Sequence, residues 1–217
     1  MQHRPLSPEI LEITLPKPWD FLPGQYVLIE HEGQSYPFSI ASAPFESVLR
    51  FHVQHSARRP MDASLWQRLQ ENHPLTLSLP QGQAYLREDS KRPLLFIAGG
   101  SGFAPIHSML ATLAWQGSTR SIRLYWGVQE PDFLYALDEI KAWQTHLKNF
   151  QWIPVLSQPS PSWTGRTGLV HQAVLEDALD LTQYDIYLAG PFALSKTAQL
   201  DFTARYGPNL HLYSDAL

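Results

Sequence analysis

Pro93-Leu94-Leu95-Phe96-Ile97-Ala98-Gly99-Gly100-Ser101-Gly102-Phe103-Ala104-Pro105, followed by Ile106-His107-Ser108-Met109-Leu110, is the stretch on which the reading of this chain turns. An apolar run of strand length feeds a glycine turn. Beyond Phe103, Ile106, Met109, Leu110 and Leu113 recur at helical spacing. Pro105 suits the first turn of a helix, where its missing N–H has no partner to lose. A strand, a tight glycine loop and a helix N-terminus gather free backbone N–H groups at one point, with the positive end of the helix dipole behind them. Such a point binds an anion, and a pyrophosphate fits it. The glycines allow close approach because no Cβ stands in the way. The loop is not the G-x-G-x-x-G fingerprint. Counted from Gly100, the third glycine position is Pro105, and no acidic residue follows about 20 residues on. Alone, it indicates a phosphate or nucleotide, against the plainer alternative of a strand-to-helix turn with no ligand.

Composition narrows the class. A chain of 217 residues allows one large domain or two small ones, and 44% hydrophobic with 17% charged residues supports a packed core. A net charge of −4 argues against nucleic acid as a partner. The absence of cysteine excludes disulfides, thiolate zinc sites, a cysteine nucleophile and a cysteine-ligated iron–sulfur cluster on this chain. It fits a reducing compartment, and a cytoplasmic setting is the expectation. No apolar stretch approaches the roughly 20 residues of a membrane span, and the N-terminus lacks a signal-peptide core, so no membrane partner is expected. His52 and His55 are three apart in a strand-like run and point to opposite faces, which is poor geometry for a metal; none is expected.

Outward from the glycine loop, the chain has two characters. Residues 1–90 read as short strands broken by proline and glycine turns: 9–15, 25–31, 35–42, 48–54 and 75–79, with a hairpin turn at His31-Glu32-Gly33-Gln34 and a short helix at 62–69 capped by Asp62. That pattern predicts an antiparallel β-barrel. Residues 91–217 alternate strands with helices: strands at 94–98, 122–127, 152–156, 185–189 and 210–213, helices at 104–115, 133–147, 170–179 and 193–206. Alternation of this kind predicts an α/β domain with a parallel sheet, which binds ligands beyond the carboxyl ends of its strands. Gly99–Gly102, Trp126-Gly127 and Gly190-Pro191 all fall there. The boundary is expected in the charged break Glu88-Asp89-Ser90-Lys91-Arg92.

A β-domain carrying Tyr36-Pro37-Phe38-Ser39-Ile40-Ala41-Ser42 ahead of Gly99-Gly100-Ser101-Gly102-Phe103-Ala104-Pro105 resembles the ferredoxin–NADP reductase superfamily. Within it, the chain is most similar to the small NAD(P)H:flavin oxidoreductases, including the flavin reductases that supply bacterial luciferase. Supporting stretches are Tyr85-Leu86-Arg87-Glu88-Asp89, Leu124-Tyr125-Trp126-Gly127, Trp163-Thr164-Gly165-Arg166-Thr167-Gly168 and Asp185-Ile186-Tyr187-Leu188-Ala189-Gly190. The resemblance implies a flavin (FMN, FAD or riboflavin) in a groove of the barrel and NADH or NADPH on the second domain. It places Tyr36, Pro37, Phe38, Ser39, His52 and Val53 at the flavin, with the Ser39 hydroxyl near N5, the hydride acceptor. It places Gly99, Gly100, Ser101, Gly102, Phe103, Pro105, Trp126, Gly190, Pro191 and Phe192 at the nicotinamide nucleotide.

The chain also departs from the family pattern. Tyr36 stands where relatives carry an arginine that serves the flavin phosphate, and tyrosine cannot form that bidentate charged contact. Arg58, in the pair Arg58-Arg59, is a candidate to replace the charge. Gln54 stands where the subgroup has glycine. Few residues precede the 9–15 strand, so the barrel is expected to be open or one strand short. The chain stops at Leu217, soon after the match to Tyr213-Ser214-Asp215-Ala216, which is expected to leave the flavin without an aromatic cover. After Gly127 the loop Val128-Gln129-Glu130-Pro131-Asp132 has no basic residue, which leans towards NADH, with Arg123 and Arg166 as cations able to approach. Trp115, Trp143 and Trp152 read as core or interface residues.

Three functions fit this reading. The leading one is a flavin reductase that transfers hydride from nicotinamide C4 to the N5 of a dissociable flavin, which then serves an oxygenase or another acceptor. The others are a flavoprotein subunit passing electrons to a separate iron–sulfur protein, and a catalytically weak nucleotide-binding relative.

Overall fold

The structure, a computed structural model, describes residues 1–56 and 61–217. Two small antiparallel sheets come first. One has the order β1-β2-β5, from β1 (Gln2–Ser7), β2 (Ile10–Pro16) and β5 (Val48–Gln54). The other has the order β4-β3-β6, from β3 (Tyr26–His31), β4 (Gln34–Ser39) and β6 (Thr76–Leu77). An isolated bridge from Ile40 to Phe51 joins them. The alternating apolar residues Ile13, Val27, Ile29, Phe38, Leu49, Phe51 and Val53 point inward and fill the barrel, with α1 (Ala63–Gln70) supplying Leu65 and Leu69. The β3–β4 hairpin turns on Glu32 (φ 49°) and Gly33 (φ 77°). Two successive positive φ values are those of a type I′ turn, whose twist suits the strands.

The residues ahead of Glu9, expected to leave the barrel a strand short, form β1 and pair with β2 from Gln2↔Thr14 onward. Alternation was hard to read there because β1 is an exposed edge strand with both faces largely in water.

The remainder is a parallel sheet of order β10-β9-β8-β7-β11-β12. It comprises β7 (Leu94–Gly99), β8 (Ile122–Val128), β9 (Phe150–Leu156), β10 (Arg166–Thr167), β11 (Asp185–Ala189) and β12 (His211–Tyr213). Central β7 is buried throughout its apolar run, as a strand covered on both faces must be. On one face lie α2 (Phe103–Trp115) and α3 (Leu137–His146); on the other, α4 (Val170–Glu176) and α5 (Phe192–Tyr206).

The helix expected over 133–147 begins only at Leu137. Pro131–Phe133 make a single 3₁₀ turn, and Leu134 then leaves helical geometry at ψ 74°. Leu134 and Ala136 are buried as anchors of a loop, while Tyr135 turns towards the barrel.

The two halves interlock through α2. His107 Nδ1–H donates to the Ala41 carbonyl at 2.8 Å, and the Ser108 hydroxyl donates to the Ser42 carbonyl at 2.6 Å. Residues 103–110 are all buried, since this helix has the sheet on one side and the barrel on the other.

Candidate functional site

The glycine loop is built as its sequence requires. After β7, Gly100 has φ 57°, and Gly100–Gly102 form a 3₁₀ turn into α2, which no side chain caps. Gly102 has ordinary φ; its need for glycine is contact. A Cβ there would lie 2.4 Å from the Ala189 carbonyl oxygen and 2.5 Å from the Gly190 Cα. The β7 and β11 ends therefore meet backbone to backbone, at the carboxyl edge of the sheet where ligands bind.

Three cavities surround this point. The first, about 250 Å³, lies over the ends of β7, β8 and β9, and is lined by Gly99, Gly100, Ser101, Gly127, Gln129 and Ser157, with Glu9, Gln54 and Ser56 from the barrel side. The second, about 410 Å³, runs from Tyr26, Leu28 and Ser39 to the C-terminal residues Tyr213–Ala216. The third, about 520 Å³, lies between the two halves. Tyr36, Pro37, Phe38, Ser39, His52 and Val53 face Gly99, Ser101, Gly102, Pro105, Gly190 and Pro191 across it. Residues expected at a flavin and residues expected at a nicotinamide thus share one space. Ser39 lines both the second and the third cavities.

The remaining expected residues lie elsewhere. Phe103 and Trp126 are fully buried, stacked at 3.9 Å, and line none of these cavities. Trp126 Nε1–H donates to the Gly100 carbonyl at 3.0 Å, so this pair supports the loop from beneath. Phe192 is 63% exposed outside the cavities. Arg58 and Arg59 lie outside the described residues. Arg166 pairs with Asp177 and Glu176 and lines none of the three cavities. Trp143 is core, whereas Trp115 is exposed and stacks on Phe45 at 4.9 Å.

Behind the third cavity is a polar cluster that sequence reading missed. His52 Nε2 faces the buried Glu12 carboxylate at 3.8 Å, so Nδ1 is left to accept from the Tyr135 hydroxyl at 3.2 Å. The His52 ring meets the His107 ring edge to face at 5.3 Å. Burial holds both histidines neutral: it moves His52 well below the usual imidazole range and His107 down to about 4. Burial also pushes the Tyr135 phenol up. No local signal marks Tyr135, which sits inside an apolar run of helical appearance. His55, by contrast, stacks on Trp66 at 4.3 Å, on the other face of the strand run.

The C-terminal residues are tied to the barrel. The Asp215 carboxylate accepts from Gln83 N–H at 2.7 Å and Ala84 N–H at 3.1 Å. Tyr213 stacks on Tyr187 at 5.1 Å, with the Arg87 guanidinium 4.6 Å from its ring centre. No helix among the described residues is long and apolar enough to cross a membrane.

A family model for the oxidoreductase NAD-binding domain matches residues 96–200. A "Probable flavin reductase" of Photobacterium leiognathi is 36% identical over 210 residues, covering 92% of this chain and 88% of that protein. The "NAD(P)H-flavin reductase" of Vibrio harveyi is 35% identical over 209 residues, with coverage of 92% and 88%. Among solved structures, the FAD/NAD-binding domain of a nitric oxide dioxygenase from Vibrio cholerae superposes with a TM-score of 0.81 at 20% identity, covering 98% of this chain and 94% of that one. The ferredoxin reductase of carbazole 1,9a-dioxygenase gives 0.79 at 24% identity, covering 98% of this chain and 66% of that one. With the barrel, the parallel sheet and the glycine loop in this arrangement, the chain belongs to the ferredoxin–NADP reductase superfamily, in its NAD(P)H-flavin reductase branch.

Proposed function

We propose that this enzyme reduces flavin with NADH or NADPH, residues 1–90 carrying the flavin and residues 91–217 the nicotinamide nucleotide. One observation carries the reading: the end of β4 at Ser39 and the loops at Ser101 and Gly190 line a single cavity of about 520 Å³. The bound cofactors supply the chemistry, a hydride moving from nicotinamide C4 to flavin N5. The chain's task is to orient and desolvate them. Pro37, Phe38 and Ser39 flank the flavin ring, and the Ser39 hydroxyl serves the N5 edge. The backbone contact at Gly102 and Gly190 keeps the nucleotide loop close to that edge.

The flavin is a dissociable substrate in this reading. Among the described residues lining the third cavity, none is Lys or Arg, and Asp62 sits at its barrel end. Tyr36 donates its hydroxyl to Gln34 Oε1 at 3.0 Å, and desolvation first, then the charges of Asp62 and Glu32, push its phenol up. The described residues at that end offer a flavin phosphate little charge complementarity. Reduced flavin then passes to a flavin-dependent oxygenase or another acceptor. A cytoplasmic setting fits a reaction that draws on NADH or NADPH.

The test is nicotinamide oxidation by purified protein with and without riboflavin, FMN and FAD, beside its visible spectrum. Colourless protein with saturable, flavin-dependent turnover supports the proposal. Yellow protein that reduces artificial acceptors without added flavin makes it an electron-transfer subunit. No turnover with any flavin makes it a nucleotide-binding relative.

A further inference from the structure

The first and third cavities touch at Gly99, Ser101, Pro191 and one residue from the barrel, Gln54. Gln54 ends β5, and its side chain reaches across to the nucleotide loop. Its Oε1 accepts from the Ser101 hydroxyl at 3.2 Å, and its Nε2 donates to Glu9 Oε2 at 3.3 Å. Chemistry fixes that orientation, since an ionised carboxylate only accepts and so draws the amide nitrogen. Gln54 Oε1 also stands 3.9 Å from where a Cβ on Gly100 would lie.

A dinucleotide with its phosphates on the glycine loop and its nicotinamide in the third cavity must pass this carboxamide. The contact has a second effect. A serine hydroxyl has one proton. While Ser101 gives it to Gln54, it presents only lone pairs to the loop, the wrong polarity for phosphate oxygens, which only accept. Glu9 lines the first cavity too and adds a carboxylate beside the anion site.

We infer that the Glu9–Gln54–Ser101 chain is a displaceable bar across the junction of the two cavities, and that Gln54 sets the affinity for the nicotinamide dinucleotide by competing for the Ser101 proton and for space. The inference rests on the nucleotide reading of the first cavity. Gln54 is a positioning residue acting through Ser101; it transfers nothing itself. Once it swings away, Ser101 turns its hydroxyl to the nucleotide and the passage between the cavities opens.

The experiment is direct titration with NAD⁺, without flavin, followed by tryptophan fluorescence. Trp126, bonded to the Gly100 carbonyl, reports on the loop. Gln54→Gly removes the bar and is expected to bind NAD⁺ about 3- to 10-fold tighter, the worth of one neutral hydrogen bond. Gln54→Ala keeps the strand end more rigid and is expected to change in the same direction, so a folding defect in the glycine variant alone does not decide the matter. Gln54→Glu sets a second carboxylate beside Glu9 and is expected to bind about 10-fold weaker, an effect that shrinks with added salt. In steady state, the KM for NADH is expected to move in the same order as these affinities, and more than the KM for flavin. Weaker NAD⁺ binding by the glycine and alanine variants overturns the inference and makes the carboxamide a nucleotide ligand. Equal affinities in all four proteins overturn it by taking Gln54 off the path. A wild-type protein that binds no NAD⁺ overturns both the inference and the functional reading beneath it.

Discussion

Ser39 sits where the second and third cavities meet, at the last residue of β4. In the proposed reading its hydroxyl serves flavin N5, and one such group contributes about one hydrogen bond to the reaction. Ser39→Ala is therefore expected to lower kcat about 10-fold while the KM for flavin moves much less. Pre-steady-state reduction of riboflavin by NADH checks this, and a kcat within two-fold of wild type would remove Ser39 from the chemistry. Gly102 acts by a different physical means. An added methyl would press on the Ala189 carbonyl and the Gly190 Cα, both backbone and unable to rotate away. Gly102→Ala is expected to cost about 1–3 kcal/mol of stability and to weaken nucleotide binding, measured by denaturant unfolding and NAD⁺ titration. Stability equal to wild type would mean that the two loops can part without loss.

At the scale of the element, α2 is the piece on which the two halves turn. It carries the glycine loop at its N-terminus and docks on the barrel through His107 and Ser108. His107 is 3% exposed and its pKa is lowered from 6.5 to about 4, chiefly by burial. A folded pKa below the unfolded one means that the unfolded chain binds more protons between these values, so stability rises with pH across that window. His107 stabilisation is complete above pH 6.5 and is lost as pH falls towards 4, by about 3 kcal/mol. Urea unfolding at pH 7 and pH 4.5 measures the loss. His107→Gln keeps a donor for the Ala41 carbonyl but does not titrate, and is expected to shrink the difference between the two pH values. His52, whose pKa is lowered by burial and by His107, adds in the same direction.

At the scale of the molecule, the interlocking is expected to make one cooperative unit of two differently built halves. Ser108, His107, Tyr135 and Gln54 all bond across the join. Calorimetry is expected to show one unfolding transition, with calorimetric and van't Hoff enthalpies in agreement. Two resolved transitions would show that these contacts do not couple the halves. Because the third cavity is made by both, a ligand held there stabilises the whole. Flavin at a hundred times its Kd is expected to add about 2.7 kcal/mol and to move the single transition without splitting it.

Local chemistry was enough to fix much of this architecture. The alternating runs gave the barrel strands, Glu32-Gly33 gave the hairpin turn, and the run 94–102 gave a buried strand opening on a tight glycine loop. Those features depend on period, φ preference and burial, which neighbouring residues decide among themselves. Ser39 and the glycine loop were likewise legible as motifs. That they meet followed only from the family resemblance and not from the residues between them, because positions so far apart in the chain are brought together by the docking of α2 on the barrel. The same holds for the errors. Tyr135 and Leu134 read as a helix face because apolar spacing cannot tell a helix stripe from loop anchors. Gln54 stood out only as a departure from a glycine, and nothing local shows that the fold aims its carboxamide at the hydroxyl of the nucleotide loop. Sequence determined which elements form and which residue types can do the chemistry. Tertiary structure alone decided which of them touch, since a long-range contact depends on how rigid elements pack and leaves no period in the chain.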